Sequence, residues 1–253
     1  MGPKPNHAWA AQGEESGPAA RVCAAPYLTR ISDKFLESAQ VEMKCDDRGA
    51  EILYSTDGTT PDQHARRYER PFEVTNKTTV KMRSFAAGMT PSITVARVLS
   101  PSEALTLATA PQPGLAYAYY EGIYRSVYDF AKDQPVATGV VERPTTTICQ
   151  RTNWVGSSFE GLIQIPKDGD YTFYVAAKDG GQLLIDGQEQ FESDCRKDAA
   201  LPQQATLALR GGYHRFTLKT YKCTDAISLT TDWSGPGFER TPIPKEVLFH
   251  PSE

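Results

Sequence analysis

The sequence predicts an all-β protein, two antiparallel β-sandwich domains joined by a proline-rich linker. Three observations carry that expectation. Apolar and polar side chains alternate with a period of two in one stretch after another. Those stretches are rich in Val, Ile, Thr, Tyr and Phe, which suit a half-buried pleated surface. Clusters of Gly, Pro, Asp and Ser cut the chain at intervals of about ten residues, the punctuation of hairpins. At 253 residues the chain has room for one large or two ordinary domains.

Residues 1–24 read as a polar tail with no apolar run of signal-peptide length. Trp9 stands in it with no core to join, so it is expected to dock onto something else, most simply another protein. Residues 25–100 read as a small sandwich. Its strands QVEMKC, EILYST, TTVKMRSFA and ITVARVL can send Val41 and Met43, Ile52 and Tyr54, Val80 and Met82, and Ile93 and Val95 to one face. The stretch KFLESAQVEM admits a short helix, although Val41, Met43 and Cys45 alternate better as a strand. Residues 101–113 form the linker, kept extended by Pro101, Pro111 and Pro113.

Residues 114–253 read as the second sandwich, with strands LAYAYYEG, FEGLIQIP, DYTFYVAA, GQLLIDG, ATLAL, YHRFTLKTYK and ISLTTDW. In the sixth, Phe216 and Leu218 face inward and Arg215, Thr217 and Lys219 outward; in the last, Ile227, Leu229 and Trp233 face inward.

The formal net charge of -4, with no basic run longer than Arg66–Arg67, argues against a nucleic-acid partner. No segment approaches the ~18 apolar residues of a membrane span, so no membrane insertion is expected. The five cysteines are odd in number and none forms a CxxC, which fits neither a disulfide framework nor a structural zinc site. Buried or free thiols are expected, with Cys195 and Cys223 the pair to examine in an oxidising compartment.

Two stretches carry family resemblances. YAYYEG, FEGLIQIPKDGDYTFYVAAKDGGQLLIDGQ, LRGGYHRFTLKTYK and ISLTTDWSGPG resemble, in order and spacing, the β-sandwich named after the anthrax protective antigen, found in flocculins, adhesins and glycosidases. GAEILYSTDGTTPD, YERPFEV and TTVKMRSFAAGMTPS resemble the small sandwich on the C-terminal side of chitobiases and β-hexosaminidases, also called fibronectin type III-associated. Such domains are accessory modules, and neither resemblance brings an active site.

The first resemblance implies a site. Its lectin members carry two consecutive aspartates in the loop matching residues 176–181, joined by a cis peptide and binding a calcium ion that bridges to sugar hydroxyls. Calcium takes six to eight oxygens, and adjacent carboxylates supply charge and ligands together. Here the first position is Lys178, which offers no oxygen. Asp179 remains, and Asp225 falls near the second set of ligands. Three readings follow: a degraded calcium loop, a hairpin turn at Asp179-Gly180-Gly181 with positive φ, or a Lys178 ammonium replacing the cation by pairing with Asp179 or Asp225. No cofactor is expected, calcium being the one the resemblance raises.

No catalytic constellation is visible. His7, His64, His214 and His250 stand in no Ser-His-Asp or Cys-His order, Cys149 has no assignable basic partner, and Asp168 and Asp170 flank Gly169 as turn residues. Tyr120 and Tyr124, in a tyrosine-rich stretch with Tyr117, Tyr119 and Tyr128, are candidates for sugar stacking or an interface, while Tyr117 and Tyr119 alternate into the core.

The sequence therefore favours a non-catalytic, intracellular scaffold that binds other proteins partly through its tail, in a large assembly of cytoskeletal or ciliary kind. The alternative is a secreted carbohydrate-binding accessory region of a glycosidase or adhesin, with glycan as partner.

Overall fold

A computed structural model of the chain describes residues 21–30, 32–193, 203–223 and 228–252. Strands dominate, as the alternation predicts, and no α-helix forms among the described residues. Residues 1–20 of the tail, with Trp9, and Cys195, Asp225 and Ile227 lie outside them, whereas residues 21–24, read as the end of the tail, are held by the chain: Cys23 N–H donates to the Thr90 carbonyl and Thr90 N–H to the Arg21 carbonyl, each at 2.9 Å, and Cys23 is buried. The first strands are short: β1 (Tyr27–Leu28), β2 (Lys34–Phe35), β3 (Ala39–Val41), β4 (Met43–Lys44), β5 (Glu51–Ser55), β6 (Arg66–Arg67), β7 (Phe72–Val74), β8 (Thr78–Phe85) and β9 (Val95–Pro101). KFLESAQVEM thus contains no helix. β-Branched Val41 and the alternating Met43 lead it into strands, and both are buried.

Contacts divide the chain into two units. One holds the described residues up to Leu28 with Met43–Arg70 and Val80–Ala96; the other holds Thr29–Glu42, Pro71–Thr79 and Arg97 onward. In the first unit β5 runs antiparallel to β8 on one side and β6 on the other, with Tyr54 opposite both Met82 and Arg66. Ile52, Tyr54, Val80 and Met82 are buried as predicted. Ile93 is not: it is 72 % exposed. Strand β9 begins only at Val95, and the preceding loop is fixed by Ser92, whose hydroxyl accepts the Ser84 N–H at 3.0 Å.

The second unit contains β2 paired with β9, β3 paired with β7, and the large sandwich. The sandwich strands are β10 (Gln112–Pro113), β11 (Leu115–Glu121), β12 (Ala137–Val141), β13 (Val155–Ile165), β14 (Gly169–Ala177), β15 (Gly180–Ile185), β16 (Gln188–Ser193), β17 (Gln203–Leu209), β18 (Gly212–Lys222), β19 (Leu229–Gly235), β20 (Phe238–Pro242) and β21 (Leu248–His250). One sheet has the order β10-β21-β13-β18-β15-β16, with β11 also on β13 and β12 outside β11; the other is β17-β14-β19-β20. β11 and β21 share one edge of β13 in succession, and a side chain at Gly161, where they meet, would collide with the Phe249 carbonyl and Leu115.

The inward residues of both sheets fill the core. Phe159, Tyr171, Phe173, Phe216, Leu218 and Trp233 are buried, and Trp233 stacks on Tyr171 at 5.7 Å. Each such side chain contributes about 1.5–3 kcal/mol by leaving water. Tyr119 is fully buried and Tyr117 packs against the core, as strand parity predicts.

Between residues 101 and 113 the chain lies along the sandwich: Ser102 Oγ accepts the Arg210 N–H at 3.0 Å, and Leu105 N–H donates to the Tyr213 carbonyl at 2.7 Å. The Arg210 guanidinium donates to Asp168 at 2.7 Å, to Glu37 at 2.6 Å and to the Leu36 carbonyl at 2.9 Å.

Candidate functional site

The site is built at one open end of the large sandwich, where β14 leaves one sheet and β15 enters the other. The two residues between them are Lys178 and Asp179. This connection crosses between sheets and is no hairpin, which corrects the turn reading. Gly180 and Gly181 open β15 and neither has a positive φ. Gly180 is required by crowding, because a side chain there would meet the Tyr221 ring and the Ser193 carbonyl. The hairpin of this region comes later, at Asp186-Gly187 between β15 and β16, where φ is 53° and 75°.

Asp179 is 9 % exposed, and its Oδ2 accepts the main-chain N–H of Cys223 at 2.7 Å. Cys223 follows the last residue of β18, so the carboxylate ties the crossover to the neighbouring strand. Its thiol donates to the Tyr124 carbonyl at 2.9 Å. Cys23, Cys45, Cys149 and Cys223 are free thiols. Lys178 is exposed and makes no ion pair with Asp179, so that half of the internal-cation reading fails: Asp179 is buried and its carboxylate turns to the Cys223 N–H. Asp225, the other half, lies outside the described residues. Among the described residues no three His, Cys, Asp or Glu side chains gather to hold a metal.

Beside the crossover is a notch lined by Thr145, Thr146, Cys149, Val155, Ser157, Ala177, Lys178, Thr220, Lys222 and Leu229, among others. Its water-accessible space is ≈ 20 Å³, enough for one water-sized group and far too little for a sugar ring. Cys149 Sγ lies 3.9 Å from Ser157 Oγ, and burial pushes its thiol pKa up, which keeps it protonated and a poor nucleophile.

The tyrosines divide. Tyr124 is 3 % exposed, in a small cluster with Val127, Phe130 and Tyr221, and its hydroxyl donates to Asp133 at 2.8 Å. Burial, with that carboxylate, raises its pKa well above the usual phenol value. A ring so enclosed presents no face to a sugar. Tyr120 is half-buried, 5.0 Å from Phe130. Sequence reasoning missed Trp154, which is 38 % exposed with φ 55° at the same end, and whose carbonyl accepts the Gly122 N–H at 2.9 Å.

His214 is fully buried. Nδ1 lies 2.9 Å from Asp186 Oδ2, and Nε2 lies 2.9 Å from the Arg210 carbonyl oxygen. Both nitrogens are occupied by acceptors, so this pair anchors the Asp186 hairpin and offers no free base to a substrate. Asp168, expected as a turn residue, accepts the Gly211 N–H at 2.7 Å and the Arg210 guanidinium. Those two bonds, the backbone one first, hold its pKa below the usual carboxylate range.

The family model of the PA14 domain matches residues 112–246, and that of the chitobiase/beta-hexosaminidase C-terminal domain matches residues 32–96. No curated protein matches. Among solved structures, an anti-sigma factor domain-containing protein from Clostridium clariflavum is 21% identical, with a TM-score of 0.46, over 91% of this chain and 82% of that one. The epithelial adhesin 6 A domain from Candida glabrata, in complex with Galb1-3GlcNAc, is 12% identical with a TM-score of 0.47, over 56% and 89%. A PA14 sugar-binding domain from an RTX adhesin is 16% identical with a TM-score of 0.41, over 55% and 99%.

Proposed function

The chain belongs to the PA14 domain family, and from that premise we propose that it is a non-catalytic glycan-binding accessory module, acting outside the cell as a region of a larger adhesin or glycosidase. The observation that carries this reading is the PA14 match itself, because residues 112–246 take in the whole open end with Lys178, Asp179 and the notch. The preceding chitobiase-type domain is of the same accessory kind.

The protein-scaffold reading, with its cytoskeletal or ciliary setting, has less behind it. It leaned on the odd cysteine count, the lysine in place of the first aspartate and the polar tail, whose Trp9 lies outside the described residues, and the family favours glycan over a protein partner. The two readings separate on a glycan array probed with the full chain, run with calcium and with chelator. Selective binding to a set of glycans is the expected result. An array with no glycan bound above background, under either condition, would overturn it.

A further inference from the structure

The edges of the large sandwich are not alike. An edge strand presents unpaired main-chain groups, and proteins guard such strands with charge, proline, irregularity or a covering element. β16 carries Glu189 and Glu192 and pairs with β15 through a register shift. β20 carries Glu239, Arg240 and Pro242, β10 ends in Pro113, and β2 lies beside β17. β12 has none of these within it. It pairs with β11 alone, and its residues Ala137-Thr138-Gly139-Val140-Val141 are uncharged. Val140 is 52 % exposed, and among the described residues no strand lies on the outer side of β12.

A groove opens where this edge ends. Val140 and Val141 line it together with Pro113 and Phe249. Gly114, at φ 102°, is part of the same lining, and a side chain there would strike the Val140 methyl and the Val141 carbonyl. The water-accessible space is ≈ 450 Å³, within the range of about 300–1,000 Å³ common to ligand pockets. Glu142, Lys245 and Glu246 supply the charged part of the lining, two carboxylates against one ammonium. Lys245 donates to Glu142 at 2.8 Å. Arg143 lines a separate hollow with Asp232.

We propose that β12 is a docking edge for a partner protein: an extended, basic segment of that partner adds to it as a strand, seats one large apolar side chain in the groove and sets a Lys or Arg beside Glu246. Strand addition draws affinity from main-chain hydrogen bonds and specificity from pockets beside the edge, and β12 offers both. The excess carboxylate selects a basic segment over an acidic one. A second copy of the chain fits less well. Paired antiparallel on itself about Gly139, β12 would bring the neutral residues Val136, Ala137 and Thr138 of that copy to the groove, with no cation for Glu246. The surface is independent of the glycan reading, since neither β11 nor β12 lines the notch at the crossover.

The test is a positional-scanning array of short acetylated peptides probed with the full chain. The expected result is selection of a large apolar residue with Lys or Arg next to it. In complex with the selected peptide, amide hydrogen exchange should slow at residues 137–141, which a molecule merely filling the groove would leave unchanged. Val140→Lys puts a charge on the edge and should weaken the peptide about tenfold, the loss of one central contact. If that variant fails to fold, Thr138→Lys, at another exposed position of the strand, takes its place. Glu246→Lys should remove the preference for a basic residue and keep that for the apolar one. An array that selects no peptide overturns the proposal, as does a selected peptide that neither the lysine on β12 nor Glu246→Lys weakens. Unchanged exchange along β12 overturns it too. Sedimentation of the chain alone should show a monomer; a dimer that Val140→Lys dissociates assigns the edge to a second copy and overturns the partner reading. A glycan whose binding Val140→Lys abolishes would assign the groove to sugar and overturn it likewise.

Discussion

The Asp179 carboxylate accepts the Cys223 main-chain N–H at 2.7 Å, across the gap between the crossover and the end of β18. One side chain thus ties the crossover to the end of β18. Asp179→Ala leaves that buried donor without its acceptor and should lower stability by about 1–3 kcal/mol in urea denaturation. Asp179→Asn keeps an acceptor oxygen and should lose roughly half as much. Equal losses for both variants would show that the carboxylate's charge, and not its geometry, holds the crossover.

Calcium is the second test of the same loop. With Lys178 in the first position and the Asp179 carboxylate engaged by Cys223, no set of three His, Cys, Asp or Glu side chains gathers among the described residues toward a cage of six to eight oxygens. Calorimetric titration of the native chain with millimolar Ca²⁺ should give no binding heat and no shift in melting temperature. Lys178→Asp restores adjacent carboxylates and should introduce weak, chelator-sensitive heat. Sub-millimolar affinity in the native chain would contradict this and revive the metal-bridged mode of sugar binding.

Asp168 makes stability depend on pH. Its folded-state pKa lies below the unfolded value, because the Gly211 N–H and then the Arg210 guanidinium favour the charged form. The stabilisation is therefore fully present above the unfolded carboxylate value of about 3.9 and is lost as pH falls through the lower folded value. The urea midpoint should drop below about pH 4, and Asp168→Asn should flatten that limb while leaving the slope above pH 6 unchanged. An unaltered acid limb in the variant would place the titration on other carboxylates.

The segment around residue 105 should matter to the large sandwich. A fragment of residues 114–253 keeps the whole apolar core, which runs from Leu115 to Leu248, and should fold cooperatively. It loses the Ser102 acceptor, the Leu105–Tyr213 bridge and the Glu37 partner of Arg210. Its melting temperature should fall several degrees below that of the full chain, as expected for a loss of about 1–2 kcal/mol. Residues 97–253 should recover the part due to Ser102 and Leu105. Identical melting for both fragments would show those bonds to be idle.

Much of the fold could be read from alternation. Phe216, Leu218 and Trp233 fall where a period of two puts them, because a sheet with one wet face leaves no other register. Ile93 failed because alternation cannot say where a strand starts, and Ser92 delays β9 by bonding back to Ser84. The loop at Lys178 was found, but its shape was misread. Sequence shows a short Asp-Gly-Gly link between strands and does not show that the strands belong to different sheets. Tyr124 sits outside any strand, so its burial against Phe130 and Tyr221 had no periodic signal. Lys222 was legible after the fact, since it shares parity with Phe216 and Leu218, yet a lysine at an inward position reads as a strand end until its burial is known.

The meeting of β11 and β21 at Gly161 has a mechanical side. Just beyond it Gln112 lies opposite His250 and Pro113 opposite Phe249, so the first and last strands of the large sandwich are paired at adjacent points. Tension applied through those two points would pull across the β10–β21 ladder, opening it one pair at a time like a zip, where a pull along the strands would load every rung together. The fold would yield first at this stem, at low force, while the core and the far end of β13 at Val155, seven positions from the Leu162–Phe249 pair, stay closed. A body suspended in that way could reorient its far end without being unmade by the load.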